Sequence, residues 1–298
     1  MAAKRLRGAS IACLLLSLAP AGRAQSALQY SGTLFTQMNP RALALDLRAQ
    51  YRQPLGSDGI TIGAIAGLIT APGMVRPSVG VEIQPLVNLS LGIGYAASYY
   101  FGFLQAQSYP SPRANYGSGV LSGPAEGPGG GYSLFVHQLN LNATLQGLIG
   151  PFAVRSATRA VRFFADLHNG DTVLYDPALD VAVFKDGWVA QNETDLLYSW
   201  RPELAVGLRH TLTLAWYPDR AYAPGEPKDN PNTPISKLGP FALYRLFESE
   251  PGMVKRADLL LVAQWYVAHR FRTGETVSGA FPLLGIGLVL SGDLQPTR

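Results

Sequence analysis

Few residues in this chain have the types and spacing from which a reactive site could be built. Asp176, Asp180 and Asp186 could offer carboxylate oxygens to a calcium ion, but solvated loop carboxylates are the simpler interpretation. The chain contains no phosphate-binding glycine loop, EF-hand loop or zincin histidine pair. We therefore predict no catalytic residue, no metal site and no cofactor.

A regular row of polar side chains is the clearest pattern in the chain. Between residues 138 and 146, polar side chains occupy every second position, and leucine or alanine stands between them. A period of two is that of a β-strand, whose successive side chains point to opposite faces. The same alternation elsewhere predicts a set of polar side chains that face water: Asp46, Arg48, Gln50, Arg52, Glu82, Gln84, Gln138, Asn140, Asn142, Thr144, Gln146, Arg209, Thr211 and Thr213. By the same parity, His137, His210 and His269 fall on the apolar faces of their strands.

The strands that position these side chains are long. Residues 91–103 set large apolar side chains on odd positions against Gly92, Gly94, Ala96 and Ser98 on even positions. This length exceeds the common strand length of about 5 to 6 residues and reaches the roughly 9 to 11 residues that cross a bilayer. Similar patterns predict twelve strands, at residues 27–37, 41–52, 60–70, 78–84, 91–103, 132–148, 157–167, 189–200, 203–217, 240–248, 254–271 and 276–290.

Two long connections separate some of these strands. Counted up and down, the connections at residues 104–131 and 218–239 fall at the same end of the predicted structure. Short apolar pieces at 172–175 and 181–184 are compatible either with two further strands or with one folded loop. The expected strand count is therefore 12, with 14 as the alternative.

The first 24 residues have the pattern of a secretory signal peptide. Lys4, Arg5 and Arg7 precede an apolar run, and small residues follow near Ala24. This segment holds the only cysteine and four basic residues, so its removal leaves 20 residues of each charge sign. The balance gives no support for nucleic-acid binding. Only 15% of the whole chain is charged while 47% is hydrophobic, yet no apolar run after residue 24 is long enough for a membrane helix.

An apolar chain of long alternating strands resembles the bacterial outer-membrane β-barrel class over residues 25–298. The resemblance implies an all-β fold, a single up-and-down antiparallel transmembrane barrel whose lumen the polar side chains line. It also implies export through a cleaved signal peptide at residues 1–24, an outer-membrane location and contact with outer-membrane lipid. The oligomeric state is left open.

Several functions are compatible with this architecture. We favour a narrow channel or transporter for small polar solutes, or a structural barrel in which inward charges such as Asp258 cross-link the interior. One alternative is an outer-membrane lipid hydrolase, because residues 166–171 are similar in part to outer-membrane phospholipases and lipid A deacylases. Those enzymes carry a serine two residues after the histidine, whereas Gly170 follows His168 here, so the catalytic residue is missing. A soluble periplasmic β-sandwich that binds a ligand is the other alternative.

Overall fold

The computed structural model describes residues 27–55, 60–101, 107–121, 132–249, 254–274 and 277–294. The predicted signal peptide lies outside these residues. Within them, no helix is long and apolar enough to cross a membrane. The short helical segments are α1 (Ser118–Leu121) and two 3-10 turns at His168–Gly170 and Asp219–Ala221.

Twelve long strands form a closed barrel. Each pairs with its neighbours in antiparallel fashion, and the first strand pairs with the last from Gln29↔Asp293 to Met38↔Leu284. The prediction of an all-β, twelve-stranded, up-and-down barrel is confirmed. The barrel strands are β1 (Ala27–Met38), β2 (Ala42–Leu55), β3 (Ile60–Ala71), β4 (Met74–Leu86), β5 (Leu89–Tyr100), β7 (Leu134–Ile149), β8 (Phe152–Ala165), β11 (Trp188–Arg201), β12 (Leu204–Ala215), β13 (Ile235–Glu248), β14 (Arg256–Ala268) and β15 (Leu283–Asp293).

Three short strands form a separate sheet. They are β6 (Ser108–Tyr109), β9 (Val173–Asp176) and β10 (Val181–Phe184), in the order β10-β9-β6. The two apolar pieces are therefore strands, but they pair with each other and with β6 rather than with the barrel. The alternative of 14 barrel strands is wrong for this reason.

The two ends of the barrel differ in their connections. At one end, called the loop end below, the described parts of the long connections between β5 and β7, β8 and β11, β12 and β13, and β14 and β15 lie together. At the other, the turn end, links such as that between β7 and β8 are short. The two long connections predicted from the sequence are both at the loop end. The second is shorter than predicted, because β13 begins at Ile235 rather than at residue 240.

The outer surface of the barrel is apolar across most of its middle, apart from a polar patch where Asn192 contacts Ser156 and Thr158. Outward side chains such as Val79, Val81 and Leu208 are at least half exposed. Aromatic side chains pair near both rims, with ring centroids 4.7 Å apart for Tyr99 and Phe135 at the loop end and 5.4 Å apart for Phe152 and Tyr198 at the turn end. An apolar belt between two aromatic girdles is the surface of a bilayer-spanning barrel.

The outward histidines have local partners. His137 is hydrogen-bonded to the Tyr95 hydroxyl, and Nε2 of His210 lies 3.0 Å from Oγ of Ser236. His269 differs from the prediction, because β14 ends at Ala268 and the His269 side chain is buried in the loops that follow.

Candidate functional site

The residues predicted to face water all lie in barrel strands. They lie on β2, β4, β7 and β12, with the opposite parity to exposed apolar neighbours such as Leu47, Val81, Leu141 and Leu208. That they line the lumen and border a path for a solute stays a prediction. Their exposure is uneven, because Gln138 and Gln146 are buried whereas Asn142 is exposed.

One group of these residues meets across a glycine. Arg52 on β2 and Glu82 on β4 both stand opposite Gly63 of β3 in the strand register. Because Gly63 has no side chain, Nη2 of Arg52 can reach over it to within 3.1 Å of Oε1 of Glu82. Gln50 donates to the same carboxylate oxygen at 3.1 Å. The three side chains form a cross-link along the lumen wall.

A second cross-link occupies the facing wall and centres on Asp195 of β11. Arg209 binds Asp195 with two nitrogens, at 2.6 Å and 2.9 Å. Arg155 of β8 donates to the same carboxylate at 3.1 Å. The Arg209 guanidinium also lies 3.9 Å from the centroid of the Phe241 ring.

Asp195 and Arg155 were missed from the sequence, although a signal was present. In β11, Gln191, Glu193 and Asp195 alternate with other side chains at the spacing that identified β7. The alternation is less evident there because Asn192 and Thr194 on the outer face are also polar. On that outer face, Asn192 donates to Oγ of Ser156 at 2.9 Å.

Part of the lumen at the loop end is filled by the segment 173–184, which we call the plug hairpin. It consists of β9, β10 and the turn between them. Val181 and Val183 are 0% exposed, and they pack in one apolar cluster with inward-facing side chains of the wall. The wall residues of that cluster are Met74, Tyr100, Leu134, Val136, Val161, Phe163, Val189, Ala215 and Ile235.

The turn of the plug hairpin is held by a buried carboxylate, Asp180. Arg272 donates to it through Nε at 2.6 Å and Nη2 at 2.8 Å. The hydroxyls of Tyr175 and Tyr266 each donate to it at 2.7 Å, and Nε2 of His269 lies 3.4 Å from Oδ2. Burial alone would raise the pKa of Asp180, but the bonds and charges of His269 and Arg272 outweigh it and hold the pKa well below its usual range.

A second carboxylate, Asp176, ties the hairpin to another part of the wall. Nη2 of Arg76 lies 3.2 Å from its Oδ2, while Nε of Arg76 donates to Oγ of Ser98 at 2.7 Å. The other oxygen, Oδ1, accepts the backbone N–H groups of Ala178 and Leu179 at 2.9 Å and 3.0 Å. Asp176 therefore shapes the hairpin turn and binds the wall at the same time.

The interpretation of these aspartates as solvated is wrong. Asp176 and Asp180 are 1% and 2% exposed, and each is paired with its own arginine. Their ligand oxygens are therefore directed to different cations, which gives the calcium alternative no support.

Loops at the loop end cover the plug hairpin. The backbone of Thr172 donates to the carbonyl of Tyr109, and that of Tyr175 to the carbonyl of Gln107. Nη2 of Arg270 donates to the Arg113 carbonyl at 2.8 Å. Connections that are far apart in sequence thus form one cap over the lumen.

The fragment at 166–171 has a structural role in this cap. The His168 ring stacks on Tyr132, with centroids 4.0 Å apart and planes inclined by 9°. Oγ of Ser108 donates directly to the Asp171 carboxylate, and Ser108 is 1% exposed. The acid therefore binds a buried serine without an intervening histidine, which is not the acid, histidine and serine relay of a hydrolase.

Comparisons with known proteins bear on the architecture alone. No protein-family model matches the chain, and no curated protein matches it. Among solved structures, an outer membrane channel from Pseudomonas putida F1 aligns over 92% of this chain and 98% of its own, with a TM-score of 0.45 and 10% identity. The NanC porin aligns over 90% and 100%, with a TM-score of 0.39 and 8% identity.

The outer membrane protein Omp33 of Acinetobacter baumannii is a third similar structure. It aligns over 91% of this chain and 98% of its own, with a TM-score of 0.36 and 10% identity. At such values the fold assignment depends on the closed strand order of the chain itself. By that strand order and its apolar belt, the chain has the architecture of the outer-membrane β-barrel class.

Proposed function

We propose that the chain is an outer-membrane barrel that conducts small polar solutes through a narrow lumen, closed at the loop end by the plug hairpin. The supporting observation is the difference between two parts of the lumen. One is packed with apolar side chains of the hairpin. Beyond it, one side of the interior carries polar residues of β2 and β7, of which Arg48 and Asn142 remain exposed, and the other side carries a second buried apolar cluster that includes Leu197, Phe241 and Val262. A barrel with only a structural role would gain from filling this space, because packed interiors are more stable than hollow ones.

The attachment of the plug hairpin is consistent with a movable closure. Its strands pair with each other and with β6, so its displacement breaks no strand pairing of the barrel. Its polar ties to the wall include the ion pairs of Asp176 and Asp180. Water can replace the partners of a carboxylate when the hairpin leaves the lumen. We therefore propose that the ion pairs of Asp176 and Asp180 hold the plug hairpin in the closed position.

The location and the surroundings of the barrel are parts of the same proposal. Cleavage after residue 24, insertion into the outer membrane and contact of the apolar belt with lipid are expected. The solute would enter from the loop end once the hairpin has moved. Fractionation of cells that express the full chain tests the location, and protein released by carbonate without a heat-dependent gel shift would contradict it.

Planar-bilayer recording with the purified full chain tests conduction. We expect brief, small single-channel steps for the wild type, and a higher open probability for the Asp176→Asn/Asp180→Asn variant. Heat-dependent mobility on a gel verifies that both barrels are folded. If neither protein gives steps while both are folded, the channel is excluded and a structural barrel is the better assignment.

A further inference from the structure

Two cations of the lumen, Arg159 and Lys237, lack a carboxylate partner. Arg159 projects inward from β8 and stands opposite Asn142 and Gln191 in the strand register. Lys237 projects inward from β13, and its Nζ lies 5.7 Å from the centroid of the Tyr266 ring. Within the described part of the chain, neither head group forms a hydrogen bond or an ion pair.

Other cations inside the barrel are neutralised at short range. Arg52 pairs with Glu82 at 3.1 Å, and Asp195 binds both Arg155 and Arg209. Further inward pairs are Arg48 with Asp46, Arg76 with Asp176, Arg256 with Asp258 and Arg272 with Asp180. The charge that remains uncompensated is therefore positive and belongs to Arg159 and Lys237.

The carboxylates that act on the two cations are already engaged. Asp176 acts most strongly on Arg159 and Asp180 on Lys237, but Asp176 is paired with Arg76 and Asp180 with Arg272. Glu193 of β11 is close enough to interact electrostatically with Arg159 and with Lys237. Its Oε2, however, lies 3.9 Å from Nη1 of Arg209. In the register Glu193 is opposite Thr211, which is itself opposite Lys237. Glu193 thus stands between the two cations without forming an ion pair with either.

We infer that Arg159 and Lys237 form an anion-binding site in the lumen, and that the solute it takes is a small carboxylate. The forked donors of a guanidinium match the two oxygens of a carboxylate, and an ammonium adds a compact positive charge. Lys237 is buried and Arg159 is half-buried, and electrostatic attraction is stronger in such surroundings than in bulk water. The amide of Asn142, opposite Arg159 in the register, supplies a neutral donor beside the guanidinium.

This inference rests on the proposed channel, of which it names the solute class, but it can be tested without any current. The probe is radiolabelled succinate, and the measurement is equilibrium dialysis against the detergent-folded full chain at low ionic strength. We expect saturable binding to the wild type and about a hundredfold weaker binding to Arg159→Gln/Lys237→Gln, because each of the two lost charged contacts costs about a factor of ten. Salt should weaken the wild-type binding.

Two further variants complete the test. Arg41→Gln/Arg201→Gln removes the same charge from two exposed positions, in the turn after β1 and at the end of β11, and should bind succinate as the wild type does. Arg159→Lys keeps the charge and should retain part of the affinity lost in Arg159→Gln. Heat-dependent gel mobility verifies folding of each variant.

The possible results separate the two proposals. Failure of the wild type to bind succinate overturns the anion site, as does equal binding by Arg159→Gln/Lys237→Gln, or an equal loss in the Arg41→Gln/Arg201→Gln control. Absence of single-channel steps overturns the channel and leaves the binding result to decide the site. Binding that is lost only with Arg159 and Lys237 supports the site.

Discussion

Arg272 and Asp180 form a two-point ion pair inside the barrel, although they are 92 residues apart in the chain. Their side chains are 1% and 3% exposed. Nη1 of Arg272 also lies 3.3 Å from Oδ1 of Asn39, in the connection between β1 and β2. Three distant connections thereby meet at one guanidinium. Such a buried pair contributes little net stability compared with apolar packing, but breaking it is costly, so it fixes where the plug hairpin sits.

Replacement of Asp180 by asparagine should release the plug hairpin. Asp180→Asn leaves Arg272 buried without its counter-charge, and removal of one partner of a buried pair costs roughly 3 to 5 kcal/mol. We expect a higher open probability in planar-bilayer recordings while the barrel wall keeps its heat resistance. Asp186→Asn is the matched control, because Asp186 lies on the same connection but outside the ion pairs of Asp176 and Asp180. This variant should leave gating unchanged. Equal gating in both variants would contradict the role of Asp180.

The lowered pKa of Asp180 predicts how closure of the lumen by the plug hairpin depends on pH. Because its pKa is lower in the folded than in the unfolded protein, the unfolded state binds more protons in mild acid, and stability rises with pH there. The stabilisation that ionised Asp180 contributes is complete above the usual aspartate pKa near 4. It is lost as the pH falls through the depressed folded pKa.

Closure should therefore be constant between about pH 7 and pH 5 and weaken only in stronger acid. Recordings of open probability from pH 7 down to about pH 3 measure it, and Asp180→Asn should lack the acid-induced opening. A transition centred between pH 6 and 7 would contradict the role of Asp180.

Side-chain parity is a local property, and this is why the wall of the barrel was predictable. Each wall strand has one lipid-facing and one lumen-facing side, so alternation identified β2, β4, β7 and β12. Strand ends were less predictable. His269 continued the alternation of β14, yet the chain turns after Ala268 because His269 and Arg272 bind Asp180.

The location of the plug hairpin could not be predicted, because its strands do not alternate between polar and apolar side chains. Val173, Leu174, Val181 and Val183 are all buried, and a short apolar run does not distinguish a barrel strand from a segment packed inside a barrel. Its location depends on contacts with Arg76 and with residues of β7 and β8. Such long-range contacts leave no periodic trace in the sequence.

Asp176 provides a separate prediction, because its two oxygens have different partners. Oδ2 binds Arg76, and Oδ1 accepts two backbone N–H groups of the turn. Asp176→Asn retains an oxygen that can accept the N–H groups of the turn and loses only the charge toward Arg76. Asp176→Ala loses both and should make hairpin opening easier than the asparagine variant does by about 1 kcal/mol. Hydrogen exchange of the Tyr175 amide, which donates to the Gln107 carbonyl outside the hairpin, measures the opening free energy. Equal exchange in the two variants would show that the turn bonds add nothing.

Gly207 and Gly239 should be indispensable for closing the wall. A Cβ built at Gly207 would lie 1.9 Å from the carbonyl oxygen of Leu196, and one at Gly239 would lie 1.9 Å from that of Ala263. The obstacle is backbone in both cases, so the paired strands would have to separate, which costs about 1 to 3 kcal/mol or more per site. We expect Gly207→Ala and Gly239→Ala to lower the fraction of heat-resistant barrel after refolding. Gly147→Ala is the control, because a Cβ there meets nothing within 4 Å, and a Gly207→Ala barrel that refolds as well as this control would show that the close strand approach is dispensable.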